Sequence, residues 1–201
     1  MSKISDQIYA TCYDVNKNVN NLSQEDAHFW AETSKKRFAL TAEKILKYTN
    51  KKDKVKILNA SGLGSGDHDV SIVKYLKSIG FPFEWDVYDS PGSPYLEKPA
   101  LKDYIQELNI NLIFFDYTKI NKNDDKKYDI ILFTEIAEHL DHSSFLNALN
   151  YLHEKLEEEG VLIVTTPNAL WFPARIKNLF GAEGNEYYGE GNKNLEKKVY
   201  G

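Results

Sequence analysis

Two glutamates and two histidines, with Asp141, fall between Glu135 and His142, directly after the apolar run Tyr128–Phe133. If residues 135–139 form a helical turn, Glu135, Glu138 and His139 share one face. Two chemistries suit that face. The three side chains could bind a divalent cation through oxygens and one nitrogen. Alternatively, His139 could act as a general base whose tautomer a carboxylate such as Glu135 fixes. The plain alternative is a surface helix start, with acids favoured by the dipole and histidines merely hydrated. His142 reads as a neighbour of the helix cap.

A second stretch, residues 55–69, reads Val-Lys-Ile-Leu-Asn-Ala-Ser-Gly-Leu-Gly-Ser-Gly-Asp-His-Asp. A short apolar run ends in a glycine-dense loop, and a helical pattern follows at once. That order brings bare backbone up to a nucleotide-like ligand, with Gly62, Gly64 and Gly66 leaving no Cβ in the way. The dinucleotide fingerprint G-x-G-x-x-G fails in both registers, because its third glycine falls on Asp67 or on Asp69. An acid at the helix start already uses the dipole and repels a pyrophosphate. The same two acids argue against a nicotinamide-dependent enzyme. The loop therefore suits a cofactor with an adenosine but no phosphates, a description that S-adenosylmethionine meets. An ordinary tight turn is the competing reading.

Other polar residues stand at the ends of apolar runs. Asp89 closes the run that begins at Phe83, where an acid can accept both hydroxyls of a ribose; otherwise it is an exposed turn acid. Asp116 follows the run 111–115 and could accept from an adenine amino group, or be a solvated loop acid. Asn59 ends the first run, where its amide can orient the loop or the amino-acid part of a ligand.

The elements that must position these residues alternate. Strands are expected at 55–59, 83–88, 111–115, 128–133 and 161–165. Helices are expected over 24–48 (one or two), from Val70 to Ile79, over 98–108, and through Phe145, Leu149, Leu152 and Leu156 until Gly160. The strands are continuous apolar runs, as burial on both faces demands. The expected fold is α/β, a Rossmann-like doubly wound parallel sheet. Residues 1–22 read as a polar, aperiodic, mobile or loosely docked arm. Residues 23–50 read as a helical lid, with His28, Phe29 and Trp30 ahead of Lys35, Lys36 and Arg37. That helix either packs on the sheet by its aromatics or covers the pocket and offers cations to an anionic substrate. Residues 51–180 make the cofactor-binding domain, and 181–201 a flexible or truncated segment.

The 201 residues carry a formal net charge of −5 and a single cysteine, Cys12. The charge argues against nucleic acid as the partner. One cysteine excludes a disulfide within the chain and a thiolate zinc site, so a reducing cytoplasm is the expected compartment. No stretch approaches membrane-spanning length.

Together the segments resemble class I S-adenosylmethionine-dependent methyltransferases, in particular the group with ubiquinone-pathway O-methyltransferases and enzymes of bacterial glycan clusters. The matching pieces are Ile57 to Gly66, Asp89, Asp116, the Glu-x-x-Glu-His-Leu stretch from Glu135 to Leu140, and Gly160 to Asn168 with its Thr-Thr-Pro-Asn. The resemblance covers residues 25–180. It implies transfer of a sulfonium methyl group to a small-molecule acceptor, with O-methylation of a hydroxyl on a sugar or related metabolite as the first reading. It also implies a cofactor held by Asn59, Gly62, Gly64, Gly66, Asp89, Asp116 and Thr134. His139 and Glu135 are the implied catalytic pair, and a divalent metal on Glu135, Glu138 and His139 is the optional addition. Two departures stand out. An amide and one extra residue replace the usual acid before the glycines, and the last strands of the full fold are missing. The chain is thus expected to be a fragment, or to have its open sheet edge covered by an oligomer or partner. The alternatives are a non-catalytic binding subunit on the same fold and a metal-dependent RNA 2′-O-methyltransferase.

Overall fold

The computed structural model describes residues 3–49, 53–90, 92–115 and 125–166. Two helices open the chain, α1 (Lys3–Asn18) and α2 (Gln24–Thr49). Strands and helices then alternate as β1 (Val55–Asn59), α3 (Asp67–Ser78), β2 (Phe83–Asp89), α4 (Pro99–Leu108) and β3 (Ile110–Phe114). After these come β4 (Tyr128–Thr134), α5 (His142–Glu154) and β5 (Leu156–Thr165). Short 3-10 turns at Pro94–Glu97 and Ala137–His139 precede α4 and α5.

All five strands are parallel, in the order β3-β2-β1-β4-β5. The order reverses between β1 and β4, the place where such sheets open a crevice at their carboxyl ends. Side chains alternate between two apolar layers. Ile57, Trp85, Val87, Ile130 and Leu132 join the layer that holds residues of α1 to α4. Leu58, Tyr88, Ile131 and Phe133 join Ala148, Tyr151 and Leu152 of α5 on the opposite face. Right-handed crossovers demand this split, because α3 and α4 return the chain in one direction along the sheet and α5 in the other. The expected α/β, Rossmann-like doubly wound sheet is the observed fold.

Three local expectations need correction. The first concerns the expected arm, which is helical over Lys3–Asn18. Ile8, Cys12 and Val15 recur at helical spacing and are fully buried against the core that α2 and α3 share. The second concerns the end of α5. The helix stops at Glu154, not at Gly160, and Leu156 already pairs with Tyr128. A register shift absorbs the acidic residues between Leu156 and Val161. Gly160 is there for space: a Cβ would meet the carbonyl oxygens of Glu157 and Tyr128 at 2.9 Å. The third concerns residues 135–139 and belongs to the site. The open edge expected beside β5 cannot be followed, since residues 167–201 lie outside those described.

Among the described residues no helix is long and apolar enough to cross a membrane.

Candidate functional site

The carboxyl ends of β1, β2 and β4 gather the polar residues singled out in the sequence. Asn59 is buried at the end of β1, and the turn that follows is held from three directions. The Asn59 Oδ1 accepts from the Ser61 N–H at 2.9 Å, and its Nδ2 donates to the Gly62 carbonyl at 3.1 Å. The Leu63 N–H donates to Asp89 Oδ2 at 3.1 Å. Across the switch point, the Thr134 N–H donates to Ser61 Oγ at 2.6 Å. Gly62, Gly64 and Gly66 all have positive φ. At Gly66 a Cβ would stand 2.4 Å from Leu101 Cδ1, whereas at Gly64 (φ +53°) it would meet nothing within 4 Å. The turn is therefore packed on its α4 side and open at Gly64.

Asp89 lies against this turn, with Oδ1 3.6 Å from where a Gly62 Cβ would be. Its Oδ1 accepts from the Ser90 N–H at 2.8 Å, so each oxygen holds one backbone donor. A carboxylate has about four acceptor sites, which leaves capacity for a diol. Asp89 is 8% exposed, so that capacity faces a narrow opening. Asp116 lies outside the described residues.

Asp67 and Asp69 do not stand as free anions at the start of α3. Asp67 accepts from Ser65 Oγ at 2.5 Å and from Asn16 Nδ2 of α1 at 3.2 Å. Cys12 Sγ is 3.6 Å from the same carboxylate. Burial, and then the Asp67 charge, push the Cys12 thiol far above its usual range. Asp69 is fully buried and accepts from Asn59 Nδ2 at 2.9 Å and from Trp85 Nε1 at 2.7 Å. His68 Nδ1 is 3.6 Å from Asp69 Oδ2, its ring set edge-on to Phe38. Asp69 was read only as an obstacle to phosphate. The signal that could have found its role is an amide closing a strand with an acid one turn into the next helix.

Glu135, Glu138 and His139 do not share a helical face. Glu135 has φ +55° and precedes the short turn Ala137–His139. Its N–H donates to the Thr165 carbonyl at 2.9 Å, which fixes that backbone between β4 and β5. Its carboxylate takes the Arg37 guanidinium at 2.6 Å and the Thr165 hydroxyl at 2.9 Å. Arg37 is thus the basic residue that carries α2 to the strand ends. Glu138 has the Thr166 hydroxyl at 3.4 Å and His139 Nε2 at 3.9 Å. The carboxylate beside His139 is therefore Glu138 and not Glu135. Among the described residues no group of three His, Cys, Asp or Glu side chains converges as metal ligands. The His139 side chain is 48% exposed and open to an incoming molecule.

Asp141 caps α5, its Oδ1 accepting from the N–H groups of Ser143 at 2.9 Å and Ser144 at 3.0 Å. Hydrogen bonds from the Ser143 and Ser144 hydroxyls are the main reason its carboxyl sits well below the usual range. On α2, His28 Nδ1 meets the Tyr9 hydroxyl at 2.7 Å, while Phe29 and Trp30 stand exposed, edge to face with each other.

No family model matches the chain, and no curated protein matches it in sequence. Solved structures do. A Pyrococcus horikoshii OT3 protein is 18% identical with a TM-score of 0.54, over 84% of this chain and 67% of that one. The DszA carbon methyltransferase is 14% identical with a TM-score of 0.54, over 80% of this chain and 46% of that one. A Listeria monocytogenes protein assigned to the class I S-adenosylmethionine-dependent methyltransferases is 10% identical with a TM-score of 0.51. That match covers 90% of this chain and 80% of the other. The chain thus spans from under half to four fifths of the length of these structures. At such identities the likeness is one of fold: a parallel sheet of the methyltransferase type with helices on both faces.

Proposed function

We propose that this chain is an S-adenosylmethionine-dependent methyltransferase acting on a small molecule, with a hydroxyl as the acceptor. One observation carries the reading. A turn of three positive-φ glycines, open at Gly64, lies against the carboxylate of Asp89 at the switch point of a parallel sheet. Bare backbone beside a two-oxygen acceptor suits an adenosyl ligand, with its ribose on Asp89 and its amino-acid part over the turn. The methyltransferase fold of the similar structures supports the choice. When bound, S-adenosylmethionine supplies an electrophilic methyl group. The acceptor oxygen forms the new C–O bond as the C–S bond breaks, and the acceptor proton must leave.

His139 is the group assigned to take that proton, because it is exposed beside the strand ends and has Glu138 near one ring nitrogen. Glu135 is assigned a different task from the one its spacing suggested. Bound to Arg37 and Thr165, it ties α2 to the ends of β4 and β5 and so shapes the wall that excludes water. Because Glu135, Glu138 and His139 do not converge as metal ligands, no step is assigned to a metal held by the three. The lone buried thiol, Cys12, accords with a reducing cytoplasm as the place of action.

A second reading has one observation in its favour. The commitment of Glu135 to Arg37 leaves the base with only Glu138, which also suits a non-catalytic subunit that binds cofactor or acceptor. Titration calorimetry with S-adenosylhomocysteine tests the common part, and saturable one-site binding is expected. No heat at millimolar ligand overturns the proposal. Turnover of a hydroxyl-bearing acceptor pool with labelled S-adenosylmethionine then separates enzyme from subunit: label transfer abolished in His139→Ala supports the enzyme.

A further inference from the structure

We infer that Asp69 is a positioning residue for the cofactor turn, acting through the amide of Asn59. This rests on the reading of that turn as the cofactor site.

The Asn59 amide could face its neighbours in two ways that differ by exchange of its oxygen and nitrogen. Asp69 chooses. Its carboxylate only accepts, so the Asn59 NH2 group must face it, at 2.9 Å from both oxygens. The second Asn59 N–H then falls on the Gly62 carbonyl and the Oδ1 on the Ser61 N–H. One buried carboxylate thereby sets the orientation of two peptides of the turn, the one before Ser61 and the one after Gly62. The Asp69 side is itself immobilised, because Trp85 Nε1 on β2 donates to it at 2.7 Å and α3 carries its backbone.

An uncharged residue would be the cheaper occupant. Asp69 is 0% exposed, and the nearest cationic candidate, His68 Nδ1, is 3.6 Å away. Burying a carboxylate is costly even with the donors of Asn59 and Trp85 and the start of α3 beside it. An asparagine could hydrogen-bond to both Asn59 and Trp85, yet it offers a donor as well as an acceptor. It would leave the Asn59 amide free to turn over, and the Ser61 and Gly62 peptides with it. The carboxylate does what the amide cannot, and it does so with no ligand present. It also supplies what the strand-end amide lacks when compared with the acid expected there: a negative charge at the base of the turn, moved from the strand to the helix.

The test compares wild type with Asp69→Asn and with the exchange Asn59→Asp/Asp69→Asn. Two quantities are read: the affinity for S-adenosylhomocysteine by calorimetry, and amide hydrogen exchange at Ser61, Gly62 and Leu63 in the unliganded protein. Asp69→Asn is expected to keep its near-ultraviolet circular dichroism, to raise exchange at Ser61 and at Leu63, whose N–H shares a peptide with the Gly62 carbonyl, and to weaken binding roughly tenfold. The exchange variant restores an acid–amide contact but places a carboxylate against the Gly62 carbonyl. It is expected to recover melting temperature without recovering affinity. A purely structural role predicts recovery of both. Unchanged exchange and unchanged affinity in Asp69→Asn overturn the inference, and so does full recovery of affinity in the exchange variant. If wild type binds no S-adenosylhomocysteine, the cofactor reading fails. Exchange at residues 61 and 63 then decides by itself whether Asp69 sets the turn. Should Asp69→Asn not fold, the exchange variant gives the same two measurements.

Discussion

Gly64→Ala separates the two reasons for a glycine in the turn after β1. At Gly64 φ is +53°, and an added Cβ would touch nothing within 4 Å. The cost in the unliganded protein is then the left-handed backbone alone, about 1–2 kcal/mol for a residue with a Cβ. For a chain of this size that lowers the melting temperature by roughly 2–8 °C. Gly66→Ala pays the same backbone cost and must also displace Leu101, whose Cδ1 would be 2.4 Å away in a fully buried position. Overpacking of that kind adds about 1–3 kcal/mol. The order of stabilities is therefore wild type, Gly64→Ala, Gly66→Ala, read by urea denaturation. Ligand binding should give a different order. If the open side of Gly64 is where the cofactor lies, a methyl group there excludes it. S-adenosylhomocysteine affinity should then fall well beyond the tenfold step that 1.4 kcal/mol represents. Gly64→Asn sharpens the test, since asparagine tolerates the left-handed region better and adds more bulk. It should be the more stable of the two variants at this position and bind no more tightly. Wild-type affinity in both variants would refute the placement of the ligand on the open face of the turn.

Three further outcomes are expected. Asp89→Asn puts an NH2 group where Asp89 now accepts from either Leu63 or Ser90, so one backbone donor loses its partner. A stability loss of about 1–3 kcal/mol should accompany weaker S-adenosylhomocysteine binding by calorimetry. Arg37→Ala removes the ion pair to Glu135, whose partners are 38% and 29% exposed. Solvent screening limits the loss to about 1 kcal/mol, and it should shrink further in 1 M salt during urea titration. Tyr104 is pushed up to about 12 from its ordinary 10.0, by burial first and then by its hydrogen bond to Asp14. The folded state therefore keeps this proton where the unfolded chain has lost it. Its contribution is complete below pH 10 and is lost as pH rises toward 12. Tyr104→Phe should flatten that part of the stability-against-pH curve relative to wild type.

The sheet was legible because apolar-rich runs, unbroken in Ile130–Phe133, alternate with helical patterns even though Lys56, Glu84, Asp86 and Asp129 interrupt the central strands. Val55–Asn59 was placed to the residue, and β2 and β4 to within one. Helix α2 was equally clear from its start, where Ser23 Oγ accepts from the Asp26 N–H at 3.1 Å. Helix α1 was missed for a definite reason. Its buried face mixes Ile8, Cys12 and Val15 with the polar Ser5 and Asn16, which break the apolar periodicity. The end of α5 was misplaced because Gly160 looks like a helix stop, whereas its space is needed by two backbone carbonyls. Periodicity records which side chains face the core; it carries nothing about which backbone approaches another.

The same limit explains the site. Residue types and strand ends brought Asn59, the three glycines, Asp89 and Thr134 to one place, and the topology does unite them. What spacing could not assign is the partner of each carboxylate, because those partners come from distant segments. Asp67 is taken by α1, Asp69 by Asn59 and Trp85, and Glu135 by Arg37 and Thr165. Each of these acids is satisfied from within the protein. Asp89 also holds backbone donors, yet one per oxygen leaves it further acceptor sites. A carboxylate that spends its lone pairs on the fold fixes geometry, and one that keeps some can take a ligand. That division is the basis for the proposed ligand site on Asp89 and the open turn, with His139 proposed to take the proton. The remaining acids hold the backbone that brings those two together.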